Sequence, residues 1–232
     1  MNCKENQARY LQKDKQQKMK KILLLCSAAV MAMQVSAQDF KTVLTKTFTT
    51  FDTAQDQSVK VEQSNKMSLI AKKWDNEWAA HYYAAWSKTV LSFEEKDGDK
   101  RDAYLDEADK EKETMMSILK KETDETYVLA AMMANARLAV NPSSRWMKYG
   151  KVFSSNIESA QELNPGNPRM YYLQGMAKLH TPKAFGGGKK NAKPYFEKAE
   201  TLFAKENSDD ITKPYWGKQR NTQFLAECNK ED

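Results

Sequence analysis

The sequence predicts an all-α protein in which helices follow one another in pairs. Apolar residues recur at spacings of three and four along most of the chain, which is the period of an amphipathic helix. The 232 residues include only 8 glycines and 6 prolines, too few for a turn-rich all-β chain. With 41% hydrophobic residues, the chain has enough apolar side chains to bury a core.

Nine segments carry this helical period, and polar or helix-breaking stretches separate them. The polar stretch 52–65 separates the first segment from the second, and a charged linker at 97–102 separates the third from the fourth. In chain order the predicted helical segments are 40–51, 67–74, 74–90, 105–119, 127–138, 146–163, 171–179, 192–203 and 216–228.

Several helix ends are predicted from prolines and capping residues. Asn141 precedes Pro142, and the fifth helix should end there because the residue before a proline avoids the helical conformation. Ser143 or Ser144 is expected to cap the sixth helix. Pro214 suits the first turn of the last helix, where its missing N–H costs nothing.

The pairing of the helices predicts a tetratricopeptide-like array of about four helix pairs plus a terminal helix. Ala192, Phe196 and Ala199 resemble the second helix of such a repeat, in which small residues let the paired helices approach closely. Tyr171 and Gly175 lie on the preceding helix, so we predict repeat packing among these five residues. The predicted pairs are 43–49 residues apart, longer than the usual ~34-residue unit, so the repeats are degenerate.

The positive charge of the chain lies in its first 37 residues. They hold seven of the 37 basic and two of the 31 acidic residues, which leaves 30 and 29 for residues 38–232. A basic start at 19–21, an apolar run at 22–33 and small residues before Gln38 predict a signal peptide at 19–37. Residues 1–18 are interpreted as an N-terminal extension from a start codon assigned too early. The remaining chain, 38–232, is predicted to be one nearly neutral domain, which argues against nucleic acid as a partner.

Cysteine usage agrees with an exported protein that has no internal disulfide. Cys3 and Cys26 would leave with the leader, so Cys228 is the one cysteine expected in the mature chain. Lipidation at Cys26 is the weaker alternative, since Leu25 stands where a small residue is wanted. The apolar run is also too short to span a membrane, which takes ~20 residues. We expect a periplasmic or secreted location.

Four short motifs resemble an uncharacterised family of exported tetratricopeptide-repeat-like proteins of Gram-negative bacteria. The resemblance implies a helical-repeat fold and export, and it implies no reaction. The sequence departs from the family pattern at Ala79-Ala80-His81, where a bulky residue, a proline and an aromatic are usual. The motifs are Glu77-Trp78 followed by Tyr82-Tyr83-Ala84-Ala85, Asn167-Pro168-Arg169-Met170-Tyr171-Tyr172-Leu173, Thr181-Pro182-Lys183-Ala184-Phe185-Gly186-Gly187-Gly188, and Lys213-Pro214-Tyr215-Trp216-Gly217.

A stripe of aromatic residues is the candidate partner-binding site. Trp74, Trp78, Tyr82 and Trp86 follow one another at a spacing of four. They either pack between helix pairs, which is the more common use, or line a concave groove that stacks on sugars or grips peptides. A spacing of four drifts around a helix by ~40° each step, so we expect at least one ring to be partly exposed on the concave side.

No catalytic, cofactor-binding or metal site is predicted. The segment Gly186–Lys190 is interpreted as a turn between helices, because a phosphate-binding loop needs a preceding strand and a Ser or Thr after the lysine. His81 and His180 are the two histidines, and zinc would need further ligands. Asp97, Asp99 and Asp102 lack the glycine and the glutamate of a calcium loop.

The sequence therefore predicts an exported binding scaffold with no enzymatic activity and no cofactor. Its expected partner is a protein or peptide of the cell envelope whose identity, like the oligomeric state, the sequence does not reveal. The alternative is a small-ligand module, of the glycan-binding type, that uses the aromatic stripe. Neither a nucleic acid nor a transmembrane span is expected.

Overall fold

The computed structural model describes residues 39–207 and 210–230. The predicted signal peptide and the extension before it lie outside these residues. The chain divides into the units Met1–Val43 and Leu44–Asp232, and the packing described below is that of the second unit. Within the described residues the chain forms nine α-helices, one 3₁₀ helix and no strand. They are α1 (39–53), α2 (Gln57–Lys73), α3 (Trp78–Glu94), α4 (Gly98–Leu119), α5 (Asp124–Val140), α6 (Pro142–Leu163), α7 (Pro168–His180), the 3₁₀ helix Lys183–Phe185, α8 (Lys189–Phe203) and α9 (Lys218–Cys228).

Neighbouring helices pack together in pairs, and this confirms the predicted all-α array. The pairs α3–α4, α5–α6 and α7–α8 each share a long interface, and α2 and α9 flank the first and last of these pairs. The first members α3, α5 and α7 also contact one another in order. Because α3 is covered on both sides, nearly all of its residues are buried. The core therefore lies along the first helices of the pairs.

Polar side chains start most of these helices. Asp56, Asp97 and Thr123 each accept a hydrogen bond from a backbone N–H in the first turn of α2, α4 and α5. Asn167 does the same for α7, which opens on Pro168. Each cap satisfies one of the N–H groups that a helix start leaves without a partner.

The cap of α6 differs from the prediction. Asn141 is the capping residue, and its side chain accepts a hydrogen bond from the Ser144 N–H at 3.3 Å. The expectation that Ser143 or Ser144 caps this helix is wrong, because Pro142 occupies the first helical position and the serines lie inside the first turn.

The polar stretch predicted between the first two helices is largely helical. Helix α2 begins at Gln57, since the face that it turns inward is polar and apolar periodicity does not reveal it. Ser64 shares a hydrogen bond with Ser87 of α3 at 2.9 Å, and Lys60 forms an ion pair with Glu94. The inward polar groups are paired, so burying them is tolerated.

Three further boundaries differ from the sequence prediction. Helix α4 begins at Gly98, inside the predicted charged linker, with Asp97 as its cap. Trp74 ends α2 as its C-cap and lies outside α3, which starts at Trp78. Helix α9 begins at Lys218, beyond the predicted start at Pro214. Gly217, directly before it, takes the left-handed conformation (φ 101°), so a helix cannot run through this residue.

Charged residues on α4 hold this helix to α5 and α6. Asp102 binds Arg145 at 2.7 Å and Arg137 at 2.9 Å, and Arg137 also binds Asp106 and Asp109. Hydrogen bonds from Arg145, opposed by partial burial and helped by Arg137, lower the pKa of Asp102 to about 2. The carboxylates of α4 thus form inter-helix ion pairs.

Helices α7 and α8 approach closely at Gly175. A Cβ atom built on Gly175 would lie 2.7 Å from the ring of Phe196, which is closer than van der Waals contact allows. Phe196 is buried together with Ala192 and Ala199, while Tyr171 is half-buried. The glycine leaves room for the aromatic ring between the two helices of this pair.

Gly175→Ala and Gly150→Ala are expected to change stability in opposite directions, although both glycines lie inside helices. Alanine at Gly150 meets only Leu138, at 3.9 Å, and should stabilise the protein by about 0.5–1 kcal/mol through helix propensity. Alanine at Gly175 overlaps Phe196 and should destabilise it by about 1–2 kcal/mol net. Urea unfolding of the two variants measures both signs. Equal stabilisation by both would show that the α7–α8 interface is loose enough to absorb a methyl group.

No helix within the described residues is both long and apolar enough to cross a membrane.

Candidate functional site

The predicted aromatic stripe does not form one surface. Trp74 lies in the connection between α2 and α3, where Lys73 Nζ is 4.1 Å from the centre of its ring. Trp74 and Trp78 are half-buried, whereas Tyr82 and Trp86 are buried. The N-terminal end of the stripe is therefore accessible to a partner, and its C-terminal end belongs to the core.

Trp86 lies at the centre of an aromatic cluster in the core. Its ring centre is 5.3 Å from that of Phe48 and 5.2 Å from that of Phe51, both on α1. It also lies 6.1 Å from Tyr83 and 6.0 Å from Trp216. Edge-on and tilted rings at these distances attract one another beyond the gain from burial.

A buried charge network joins α3, α5 and α7. The Arg169 side chain, 4% exposed, donates to Glu125 at 2.7 Å and to Glu206 at 2.6 Å. Tyr82 donates its hydroxyl hydrogen to Glu125 at 2.9 Å and accepts one from the Trp216 indole at 2.8 Å. Burial raises the pKa of Glu125, and the adjacent Arg169 guanidinium opposes that rise.

This network brings together three of the four sequence motifs. Tyr82 belongs to the first motif, Arg169 to the second and Trp216 to the fourth. Tyr82 and Trp216 are 134 positions apart and share a direct hydrogen bond. Arg169 also lies over the Trp216 ring at 5.8 Å. Tyr82 and Arg169 therefore hold the connection between α8 and α9, which carries Trp216, against α3 and α7. The geometry gives these motif residues a structural role.

His81 is fully engaged inside the protein. It is 5% exposed; its Nδ1 lies 2.6 Å from Glu111 and its Nε2 lies 3.2 Å from the carbonyl oxygen of Asp75. Burial disfavours the imidazolium, but the ion pair with Glu111 and the Asp75 carbonyl outweigh it and raise the pKa of His81. Its ring has no nitrogen left for a ligand.

An open cleft of about 510 Å³ lies where α7 ends, between the connection to α8 and the last turns of α9. We call it the His180 cleft. Its volume falls in the range of small-molecule sites. Its lining combines an imidazole, two lysines, one carboxylate and several apolar side chains. The lining residues are Leu179, His180, Thr181, Pro182, Lys183, Gly188, Lys189, Phe224 and Glu227.

The glycine-rich connection forms one rim of this cleft. The Gly188 N–H donates to the carbonyl of Lys178 at 2.9 Å, which folds the connection back on the end of α7. A Cβ atom on Gly187 would overlap the carbonyl oxygen of Thr181, and Gly188 takes a positive φ of 90°. Only glycine fits this tight return, and it places Lys189 at the start of α8 beside the cleft.

Helix α6 carries an exposed aromatic side chain near its N-terminus. Trp146 is 59% and Met147 70% exposed, with Lys148 and Lys151 beside them. The sequence predicts a single apolar face running along this helix, yet only Ile157 and Ala160 are buried. The N-terminal half of α6 is thus a second accessible apolar surface.

The sequence analysis does not predict that His180 lines a cleft. The sequence feature that could have indicated the cleft is the third motif, residues 181–188, which forms one rim of it. It was interpreted only as a turn, since nothing in a one-dimensional pattern places α9 against it. No group of three or more metal-binding side chains occurs among residues 39–207 and 210–230.

Comparisons with known proteins identify a solved relative. A scan against protein-family models and a search of curated proteins find no match. Among solved structures, the HusA haemophore from Porphyromonas gingivalis, a Gram-negative bacterium, is 32% identical to this chain with a TM-score of 0.69. The match covers 82% of this chain and 92% of the haemophore. By this identity and coverage, the chain belongs to the same family as the HusA haemophore.

Proposed function

We propose that this protein binds an iron porphyrin of the haem class. The observation that carries the proposal is the 32% identity to a haemophore over 92% of that protein's length. This similarity favours the small-ligand alternative over the protein or peptide scaffold. The ligand that we propose is a flat aromatic macrocycle in place of a glycan. No catalytic role is proposed.

The accessible surfaces suit such a ligand chemically. Haem presents two apolar faces, two carboxylates at one edge and an iron atom that binds imidazole. Accessible aromatic rings stack on its faces, and lysines pair with its carboxylates. The described residues include accessible aromatic rings at the half-buried Trp74 and Trp78 and at Trp146 on α6. The His180 cleft is lined by both an aromatic ring and lysines.

Export belongs to the same proposal. We propose that residues 19–37 are removed before Gln38 and that the helical domain 38–232 works in the periplasm or outside the cell. Mass spectrometry of the exported protein measures the cleavage position.

Haem titration of the purified protein tests the binding function. We expect a saturable shift of the Soret absorption band that is lost when the protein is unfolded in urea. Glycan arrays and pull-downs from envelope extracts are the parallel measurements. Absence of a saturable haem complex, together with specific capture of a glycan or a protein, would overturn the proposal.

A further inference from the structure

We propose that the N-terminal half of α6 docks on the surface of an anionic phospholipid membrane. The side chains involved are Trp146, Met147, Lys148, Lys151 and Val152, which we call the α6 tip. This inference goes beyond the proposed function and does not depend on haem binding. It is carried by the exposure of apolar side chains, by the charge around them and by the way in which the helix is held.

Exposed apolar side chains collect in two segments of the chain. Seven large apolar side chains are exposed among the described residues, and four of them lie at the α6 tip or in the 3₁₀ helix after α7. Trp146 is 59%, Met147 70% and Val152 40% exposed, and Phe185 of the 3₁₀ helix is 80% exposed. A cluster of apolar side chains left in water marks an interaction surface.

These two segments lie at the same end of the helical array. Arg169 at the start of α7 binds Glu125 at the start of α5 at 2.7 Å, so both helices begin at one junction. Helix α6 follows the end of α5 after Asn141, and the 3₁₀ helix follows the end of α7. The α6 tip and Phe185 therefore both lie away from that junction.

Apolar and basic side chains alternate on the exposed side of α6. Met147 and Lys151 are four residues apart, as are Lys148 and Val152, so each pair shares one side of the helix. All four are exposed, and Trp146 lies in the turn before them. Helices that lie in a membrane interface combine Trp and aliphatic side chains with lysines in this way. The apolar groups enter the headgroup region while the ammonium groups meet the phosphates.

The charge of this end complements an anionic membrane. Residues 141–157 and 170–196 contain no aspartate or glutamate, although the helical domain as a whole contains 29. Lys148 and Lys151 on α6 and Lys190 in the first turn of α8 are exposed. Each lysine that comes near an anionic lipid surface adds to the attraction. Charge thus favours an anionic bilayer over an uncharged one.

The contacts of α6 determine which half of the helix docks. Arg145 donates to both carboxylate oxygens of Asp102 on α4, at 2.7 Å each, and this ion pair fixes the first turn of α6. Glu158 and Glu162 are exposed on the C-terminal half, and an anionic surface repels them. The helix therefore meets the membrane with the α6 tip alone.

Co-sedimentation of the purified protein with lipid vesicles tests the docking without haem. Vesicles that mix phosphatidylglycerol with phosphatidylcholine should bind the protein roughly tenfold or more tightly than vesicles of phosphatidylcholine alone. Added salt should weaken the binding because it screens the lysines. Trp146→Ala, and Lys148→Glu combined with Lys151→Glu, should each lower the affinity for the mixed vesicles roughly tenfold. Circular dichroism checks that both variants remain folded.

Leu163→Ala is the matched control, because Leu163 is 57% exposed on the same helix but lies in its acidic half. It should leave the affinity unchanged. Equal binding to both kinds of vesicle, unchanged affinity in either tip variant, or an equal loss in Leu163→Ala would overturn the inference. A dimer that dissociates in Trp146→Ala, with no vesicle binding, would assign the α6 tip to a second copy and also overturn it. Haem titration reports the proposed function separately, so the two can fail independently.

Discussion

Replacing Arg169 by methionine should lower the free energy of unfolding by about 3–5 kcal/mol. The guanidinium is buried and binds both Glu125 and Glu206. Methionine fills a similar space but leaves the Glu125 carboxylate inside the protein without its cation. Urea unfolding followed by circular dichroism measures the loss, and the transition should remain two-state if the fold is otherwise intact.

An exposed ion pair is the control for Arg169→Met. Glu62 and Lys66 lie one turn apart on α2 with half or more of each side chain exposed, so Glu62→Gln should cost less than about 0.5 kcal/mol. Adding Glu125→Gln to Arg169→Met should recover part of the stability, because it removes the unpaired charge. A loss in Arg169→Met no greater than that of Glu62→Gln would contradict the structural role given to the network.

Replacing Trp86 by alanine should cost about 3–5 kcal/mol, whereas Trp78→Ala should cost about 1 kcal/mol or less. Trp86 is 3% exposed and contacts rings on α1, on α3 and in the connection before α9. Trp78 is half-buried at the start of α3, where its one described ring contact is with Tyr82 at 6.0 Å. Thermal and urea unfolding of both variants give the two values.

The same pair of variants separates packing from ligand binding within the stripe. Trp78→Ala is expected to fold normally, so any effect on porphyrin or glycan binding would come from the site itself. Equal destabilisation by Trp78→Ala and Trp86→Ala would contradict the division of the stripe into an accessible end and a core end.

The network around Arg169 also brings short motifs that are far apart in the chain into contact. Tyr82, Arg169 and Trp216 contact one another only when α3, α7 and the connection before α9 are assembled. These contacts therefore hold the helices of this chain in their places.

The helical array was predictable because amphipathic periodicity is a local property of the chain. Spacings of three and four located most of the helices, and Pro168 marked the start of α7. Helix α2 was misplaced where the inward face is polar, since Ser64 and Lys60 pair with residues of α3 that the local pattern does not show.

What the sequence determined by itself is the all-α class and the pairing of the helices. The tertiary structure alone decided which residues are buried and which lie at the surface. Packing buries Tyr82 and Trp86 and leaves Trp146 exposed. It also gives both ring nitrogens of His81 a partner, whereas His180 lines an open cleft. The physical reason is that exposure depends on which distant helix covers a side chain. That is set by packing between helices rather than by the period within one.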